Sequence, residues 1–154
     1  MKRRILVTTG TRAEYGILRE ILKKIQKNSN LELILVVTGS HLLKKHGLTI
    51  NEIIKDGFKI DSKIKIEPKK DDALHNSIEL GKTIMKFSKI FKKFRPDVNL
   101  VLGDRDEMLA SSLAASHMNI ITAHIHGGDV SGGLDEYNRH AITKLSNIHF
   151  AATE

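Results

Sequence analysis

Short apolar runs alternating with helix-period segments constrain this chain more than any other feature. Arg4 to Thr9 reads as a buried strand ending at Gly10, and Glu14 to Asn28 carries Ile17, Leu18, Ile21, Leu22 and Ile25 at helical spacing. Glu32 to Thr38 reads as a second buried strand, stopped by Gly39-Ser40. Thr49 and Glu52 have the spacing of a capping box, which would open a short helix through Ile53 and Ile54. Ile60 to Ile66 alternates apolar and polar residues, the pattern of a half-exposed edge strand. A long helix is expected from about Asp72 to Phe94, with Leu74, Ile78, Met85, Phe87, Phe91 and Phe94 as buried positions, ended by Arg95-Pro96. Beyond it the pattern predicts a strand from Val98 to Leu102, a helix from Glu107 to His117 and a strand from Ile120 to His126. A glycine-rich loop from Gly127 to Gly133, a helix from about Glu136 to Ser146 and a short strand from Ile148 to Ala151 complete the order.

Strand–helix alternation with continuous apolar strands implies an α/β chain: a Rossmann-like, doubly wound parallel sheet with helices on both faces. In such sheets ligands bind beyond the carboxyl ends of the strands. Those ends carry Gly10-Thr11-Arg12, Gly39-Ser40-His41, Gly103-Asp104-Arg105 and the stretch from His124 to Asp135. The unusual chemistry of the chain therefore converges on one edge.

The formal net charge of +7 raises the question of nucleic acid, and its distribution argues against that partner. The first 102 residues hold 22 basic and 11 acidic side chains, whereas Gly103 to Glu154 hold three basic and seven acidic. The basic excess, at Lys23-Lys24, Lys44-Lys45 and Lys86 to Lys93, is interleaved with apolar residues, as on the solvated face of an amphipathic helix. Aromatic residues are only 5% of the chain, a poor supply of stacking platforms. The absence of cysteine excludes thiolate zinc sites and cysteine nucleophiles. No apolar run approaches the roughly 20 residues of a spanning helix. The expectation is one cytoplasmic domain with no membrane and no nucleic-acid partner.

Three clusters at the predicted ligand edge carry chemistry. Gly10 to Gly16 lacks G-x-G-x-x-G and Walker spacing, yet a helix N-terminus beside Arg12 suits an anion as well as a plain capped turn. Asp104 follows a buried strand directly, which holds a carboxylate as rigidly as a general acid or base requires, with Arg105 adjacent. The alternative is that Asp104, Asp106 or Glu107 simply caps the next helix, a role that suits Asp106 and Glu107 better than Asp104. His124 and His126, two apart on a strand, would share a face, and with Asp129, Asp135 and His140 they could hold a divalent metal or transfer protons without one. Hydrogen-bonded structural histidines remain the alternative. Arg139 and His140 lie one turn into the helix that Asp135 precedes.

Taken in order, GTRAEYG, TGSHL, GDRDEMLA and HIHGGDVSGGLDEYNRHAITKLSNIHF resemble the UDP-N-acetylglucosamine 2-epimerase family, specifically the hydrolysing type used in the synthesis of sialic-acid-like sugars. The resemblance implies two Rossmann-like domains in a GT-B arrangement, of which residues 1–154 would be the N-terminal one, with the C-terminal domain absent. It implies elimination of UDP from UDP-N-acetylglucosamine with loss of the C2 proton, then hydration to N-acetylmannosamine, by a homo-oligomeric enzyme that needs no cofactor or metal. It carries catalytic roles to Asp104, His126 and Asp135, and substrate contacts to Arg12, His41, Arg105, His124, Arg139 and His140. His126 stands where well-known hydrolysing members have an acid (HIEGG). The alternatives are the non-hydrolysing epimerase and a metal-dependent hydrolase built on the HIHGGD cluster. The isolated half is expected to be nearly inactive.

Overall fold

Leu6 and Val7 are adjacent in sequence, and each is completely buried, but in different cores. That is why the first strand is apolar throughout: successive side chains point to opposite faces, and both faces are covered. A computed structural model describes residues 1–43, 47–128 and 133–152. The elements run β1 (Arg3–Thr9), α1 (Arg12–Lys27), β2 (Leu31–Thr38), a 3₁₀ turn (Gly39–Leu42), α2 (Ile50–Lys55), β3 (Ser62–Ile64), α3 (Ala73–Phe94) and β4 (Val98–Leu102). They continue with α4 (Asp106–His117), β5 (Ile121–Ile125), α5 (Leu134–Leu145) and β6 (Ile148–Phe150).

The strands form one six-stranded sheet in the order β3-β2-β1-β4-β5-β6, every described pair parallel. The Rossmann-like doubly wound expectation holds. Winding reverses between β1 and β4, where Ile5 faces Val98 and Val7 faces Leu100. One core packs α1 and α2 on the sheet through Leu18, Leu22 and Ile53 against Val7, Leu35 and Leu100. The other packs Phe87 and Phe91 of α3 with Ala110 and Ala114 of α4 against Leu6, Ile34 and Val36. A smaller cluster joins Val101 and Met108 to Ile142 of α5. No helix among the described residues is long and apolar enough to cross a membrane.

Local expectations fared unevenly. The edge strand expected over Ile60 to Ile66 is present as the shorter β3, and Asp72 caps α3 through the backbone N–H groups of Leu74 and His75. The capping box expected at Thr49 is not formed, because the Thr49 hydroxyl is bonded to His41 Nδ1 at 2.6 Å instead. The capping box that does form is Thr11–Glu14, at the start of α1. Three of the positions expected to be buried on α3, Leu74, Ile78 and Met85, are 69%, 48% and 61% exposed. The sheet-facing stripe runs through Thr83, Phe87, Ile90 and Phe91, and Met85 lies about 200° around the helix from Phe87 at the usual 3.6 residues per turn. Hydrophobic identity alone did not reveal which of two apolar stripes faces the sheet. Lys44-Lys45 and most of the glycine-rich loop lie outside the described residues.

This face assignment has a direct measure in urea unfolding. Phe87→Ala should cost about 3–5 kcal/mol, as large core truncations do. Met85→Ala should stay within about 0.5 kcal/mol of the parent. Equal losses from the two substitutions would mean that α3 is rotated.

Candidate active site

Because β1 and β4 are neighbours, the turns that leave them lie side by side at the carboxyl edge of the sheet. Each turn starts a helix, and each helix contributes one buried glutamate. Glu14 of α1 and Glu107 of α4 are both only 7% exposed. Glu14 Oε2 accepts from the backbone N–H of Gly10 at 2.7 Å and of Thr11 at 3.1 Å. Its other oxygen lies 3.7 Å from Arg105 Nε, and Glu107 Oε2 lies 3.4 Å from the same nitrogen. Burial pushes the Glu14 carboxyl up to about 7, over the opposing pull of the Gly10 N–H, and the neighbouring Glu107 charge pushes the same way. From the sequence Glu107 reads only as a possible helix cap, and Glu14 is not singled out. The Thr11-x-x-Glu14 spacing was legible there, but only the pairing of β1 with β4 brings Glu107 beside it.

Asp104 and Arg139, expected at the site from separate segments, are brought together as an ion pair, both side chains largely buried. Asp106 does not cap α4. It accepts from Asn138 Nδ2 at 2.8 Å and pairs with Lys69 at 2.9 Å, tying α5 and the segment before α3 to the start of α4. Asp135 sits in the first turn of α5 and is exposed, as is His140, which stands 3.5 Å from Glu136. Arg12, at the start of α1, is exposed and turned towards α2, with its Nε 3.2 Å from Glu52.

The histidines divide sharply. His41 is fully buried, with Nε2 3.0 Å from the Thr9 hydroxyl and Nδ1 bonded to Thr49. Burial pushes its imidazole down to about 4, so it is neutral at ordinary pH. With both nitrogens occupied by the protein and no exposed surface, the ring braces the turn after β2 in this arrangement. His124 is also fully buried, its Nε2 2.8 Å from the Gly103 carbonyl and its Nδ1 3.2 Å from the Thr143 hydroxyl. Since a carbonyl only accepts, Nε2 carries the proton. Burial lowers this imidazole as well, against the opposing effect of the Gly103 carbonyl. A Cβ on Gly127 would stand 2.7 Å from His124 Nδ1 and 2.8 Å from Thr143 Oγ1, which requires glycine at 127.

His126 lies beyond the end of β5, with φ of 61°, and its N–H donates to the Phe150 carbonyl at 2.9 Å. The expected strand-face pairing of His124 with His126 is therefore absent: the backbone leaves the extended conformation at His126. No group of three or more metal-ligating side chains occurs among the described residues, and Asp129 lies outside them. Beside the glutamate pair a cleft of about 260 Å³ opens between Gly39 and Ser40, Pro68 and Lys69, and Arg105 and Glu107.

Two buried groups give opposite pH dependences. Glu14 ordinarily titrates near 4.5, so its stabilising effect is complete below that pH and is lost as pH rises to about 7. His41 ordinarily titrates near 6.5, so its effect is complete above that pH and is lost as pH falls to about 4. The two slopes oppose one another over the shared interval. Urea titrations of Glu14→Gln should therefore show stability rising more steeply from about pH 4.5 to 6.5 than in the parent. An unchanged slope would mean that Glu14 titrates at its ordinary value.

The sequence profile of the family described as UDP-N-acetylglucosamine 2-epimerase matches residues 23–154. The chain is 46% identical over 156 residues to the UDP-N,N'-diacetylbacillosamine 2-epimerase (hydrolyzing) of Legionella pneumophila, an alignment covering 100% of this chain and 41% of that protein. It is 38% identical over 154 residues to the GDP/UDP-N,N'-diacetylbacillosamine 2-epimerase (hydrolyzing) of Campylobacter jejuni, covering 99% and 40%. The crystal structure of UDP-GlcNAc 2-epimerase from Neisseria meningitidis bound to UDP-GlcNAc superimposes with a TM-score of 0.83 at 25% identity, over 98% of this chain and 41% of that one. This chain thus spans about 40% of the length of these relatives. With the profile matched over most of the chain and the same fold in a solved relative, the chain belongs to the UDP-N-acetylglucosamine 2-epimerase family.

Proposed function

We propose that the complete protein is a hydrolysing 2-epimerase that converts a UDP-linked 2-acetamido sugar into the free 2-epimer and UDP, and that this chain supplies one wall of its active site. The observation that carries the reading is Asp104, held by Arg139 at the carboxyl end of β4, in a chain 46% identical to a hydrolysing 2-epimerase. UDP-N-acetylglucosamine, giving N-acetylmannosamine, is the first substrate to test. UDP-N,N'-diacetylbacillosamine is the second, favoured by the names of the Legionella and Campylobacter relatives. The enzyme would serve sialic-acid-like sugar synthesis in the cytoplasm as a homo-oligomer.

The chemistry needs a base at C2 and a stabilised leaving group at C1. Removal of the C2 proton and departure of UDP from C1 leave a glycal; a proton returned to C2 on the opposite face and a hydroxyl added at C1 give the free epimer. Asp104, His126 and Asp135 are the acid–base candidates, near a position where an anion must also be held. Arg12, Arg105, Arg139 and His140 are the candidates for offsetting diphosphate charge. His41 and His124 serve as buried braces of the loops that present these groups. The cleft of about 260 Å³ is small for a nucleotide sugar and open to solvent. Charge stabilisation is weak in that setting, so a second domain would have to close the site.

Incubating the full-length protein with each UDP-sugar and separating the products tests the reading. Free 2-epimer with stoichiometric UDP is expected, whereas a UDP-linked epimer would identify a non-hydrolysing enzyme. Asp104→Asn should lower turnover by about two orders of magnitude or more; near-normal turnover of the folded variant would remove Asp104 from the chemistry. His126→Glu should retain more activity than His126→Ala, and equal activities would exclude proton transfer at that position. Residues 1–154 alone should bind UDP weakly and turn over little substrate. Steady turnover from them would show that the site is complete within this chain.

A further inference from the structure

Glu14 and Glu107 are buried acids that the proposed chemistry leaves unused, and closing the capping box of α1 occupies only one of the two Glu14 oxygens. Glu14 spends one oxygen on the N–H groups of Gly10 and Thr11, and the other faces Arg105. Glu107 lies in the first turn of α4, yet that helix has no side-chain cap hydrogen bond. Its ion-pair partner among the described residues is Arg105. Both carboxylates approach Arg105 at the same atom, Nε. Arg105 itself lines the cleft.

Backbone geometry is fitted to this grip. Gly10 lies between the two carboxylates: a Cβ there would stand 3.4 Å from Glu14 Oε2 and 3.5 Å from Glu107 Oε1. A Cβ on Gly39, whose φ is 57°, would stand 2.7 Å from Glu107 Oε1 and 2.7 Å from the Gly10 carbonyl. The Gly10 distances are ordinary contacts, whereas the turn after β2 needs glycine at 39 to make room for an acid whose target is on the turn after β4. A guanidinium is planar, so fixing its Nε edge fixes the direction of the terminal pair, which suits bidentate recognition of a phosphate.

We infer that Glu14 and Glu107 are positioning residues that hold Arg105 by Nε, so that its terminal nitrogens are presented to an anionic oxygen of the nucleotide diphosphate. The inference rests on the proposed reaction of a UDP-sugar, and it adds two residues from different helices to the machinery. Both act through Arg105 and touch no reacting atom.

The experiment uses full-length protein, UDP affinity by calorimetry and turnover of UDP-N-acetylglucosamine, with thermal melts to verify folding. Glu107→Gln and Glu14→Gln preserve side-chain shape, and the Gln amide oxygen at 14 keeps an acceptor for Gly10. Glu107→Gln should weaken UDP binding about tenfold, a loss of one charge-assisted hydrogen bond's scale, and Glu14→Gln, which resembles the protonated acid, should weaken it less. Arg105→Ala should lose at least as much. In the Arg105→Ala background, Glu107→Gln should cause no further loss of UDP affinity, because its effect is exerted through the missing guanidinium. A merely structural glutamate would lower the melting temperature in both backgrounds and leave the losses additive. Additive losses, or a folded Glu107→Gln with wild-type UDP affinity, would overturn the inference while leaving the reaction assignment intact. A wild-type protein that neither binds UDP nor turns over either UDP-sugar would instead overturn the reaction assignment, and the inference with it.

Discussion

The parallel pairing of β1 with β4 is the constraint on which the rest of this structure depends. It joins residues more than 90 positions apart, with Ile5 opposite Val98, and it requires apolar residues on both faces of both strands. Leu6 and Val7 meet that requirement on β1, and Leu100 and Val101 on β4. Once formed, the pair sets the point where the winding reverses. The two turns that leave it diverge to helices on opposite faces and open a crevice between them. Glu14, Asp104, Arg105 and Glu107 all belong to those two turns or to the first helical turn after them.

Electrostatics at this edge follows from burial. Isolated charges are costly away from water, and the chain answers by pairing them across elements: Asp104 with Arg139, Arg105 with two glutamates, Asp106 with Lys69 and Asn138. These contacts tie α1, α4, α5 and the segment before α3 to one region. Burial instead lowers the two enclosed imidazoles, His41 and His124, and each is satisfied by hydroxyl or carbonyl partners. The cleft of about 260 Å³ beside Arg105 and Glu107 is open to solvent.

Several details went against expectation because a local pattern had a tertiary competitor. Thr49 and Glu52 have capping-box spacing, but the buried His41 ring needs the Thr49 hydroxyl, and that bond prevails. His124 and His126 alternate as strand residues do, but the chain turns left-handed at His126 to meet Phe150 of β6. Leu74, Ile78 and Met85 form an apolar stripe as regular as the buried one, and only the position of the sheet distinguishes the two.

The sequence by itself determined the order of strands and helices, the parallel sheet with both faces covered, the edge on which the chemistry gathers and the family. These rest on local periodicity, glycine punctuation and long contiguous motifs, all of which are written along the chain. Tertiary structure alone decided that Asp104 is matched with Arg139, that Glu14 and Glu107 share Arg105, and that His41 and His124 are enclosed. Each of these depends on strands that become neighbours only when the sheet forms, and on the loss of water around groups whose spacing in sequence carries no record of it.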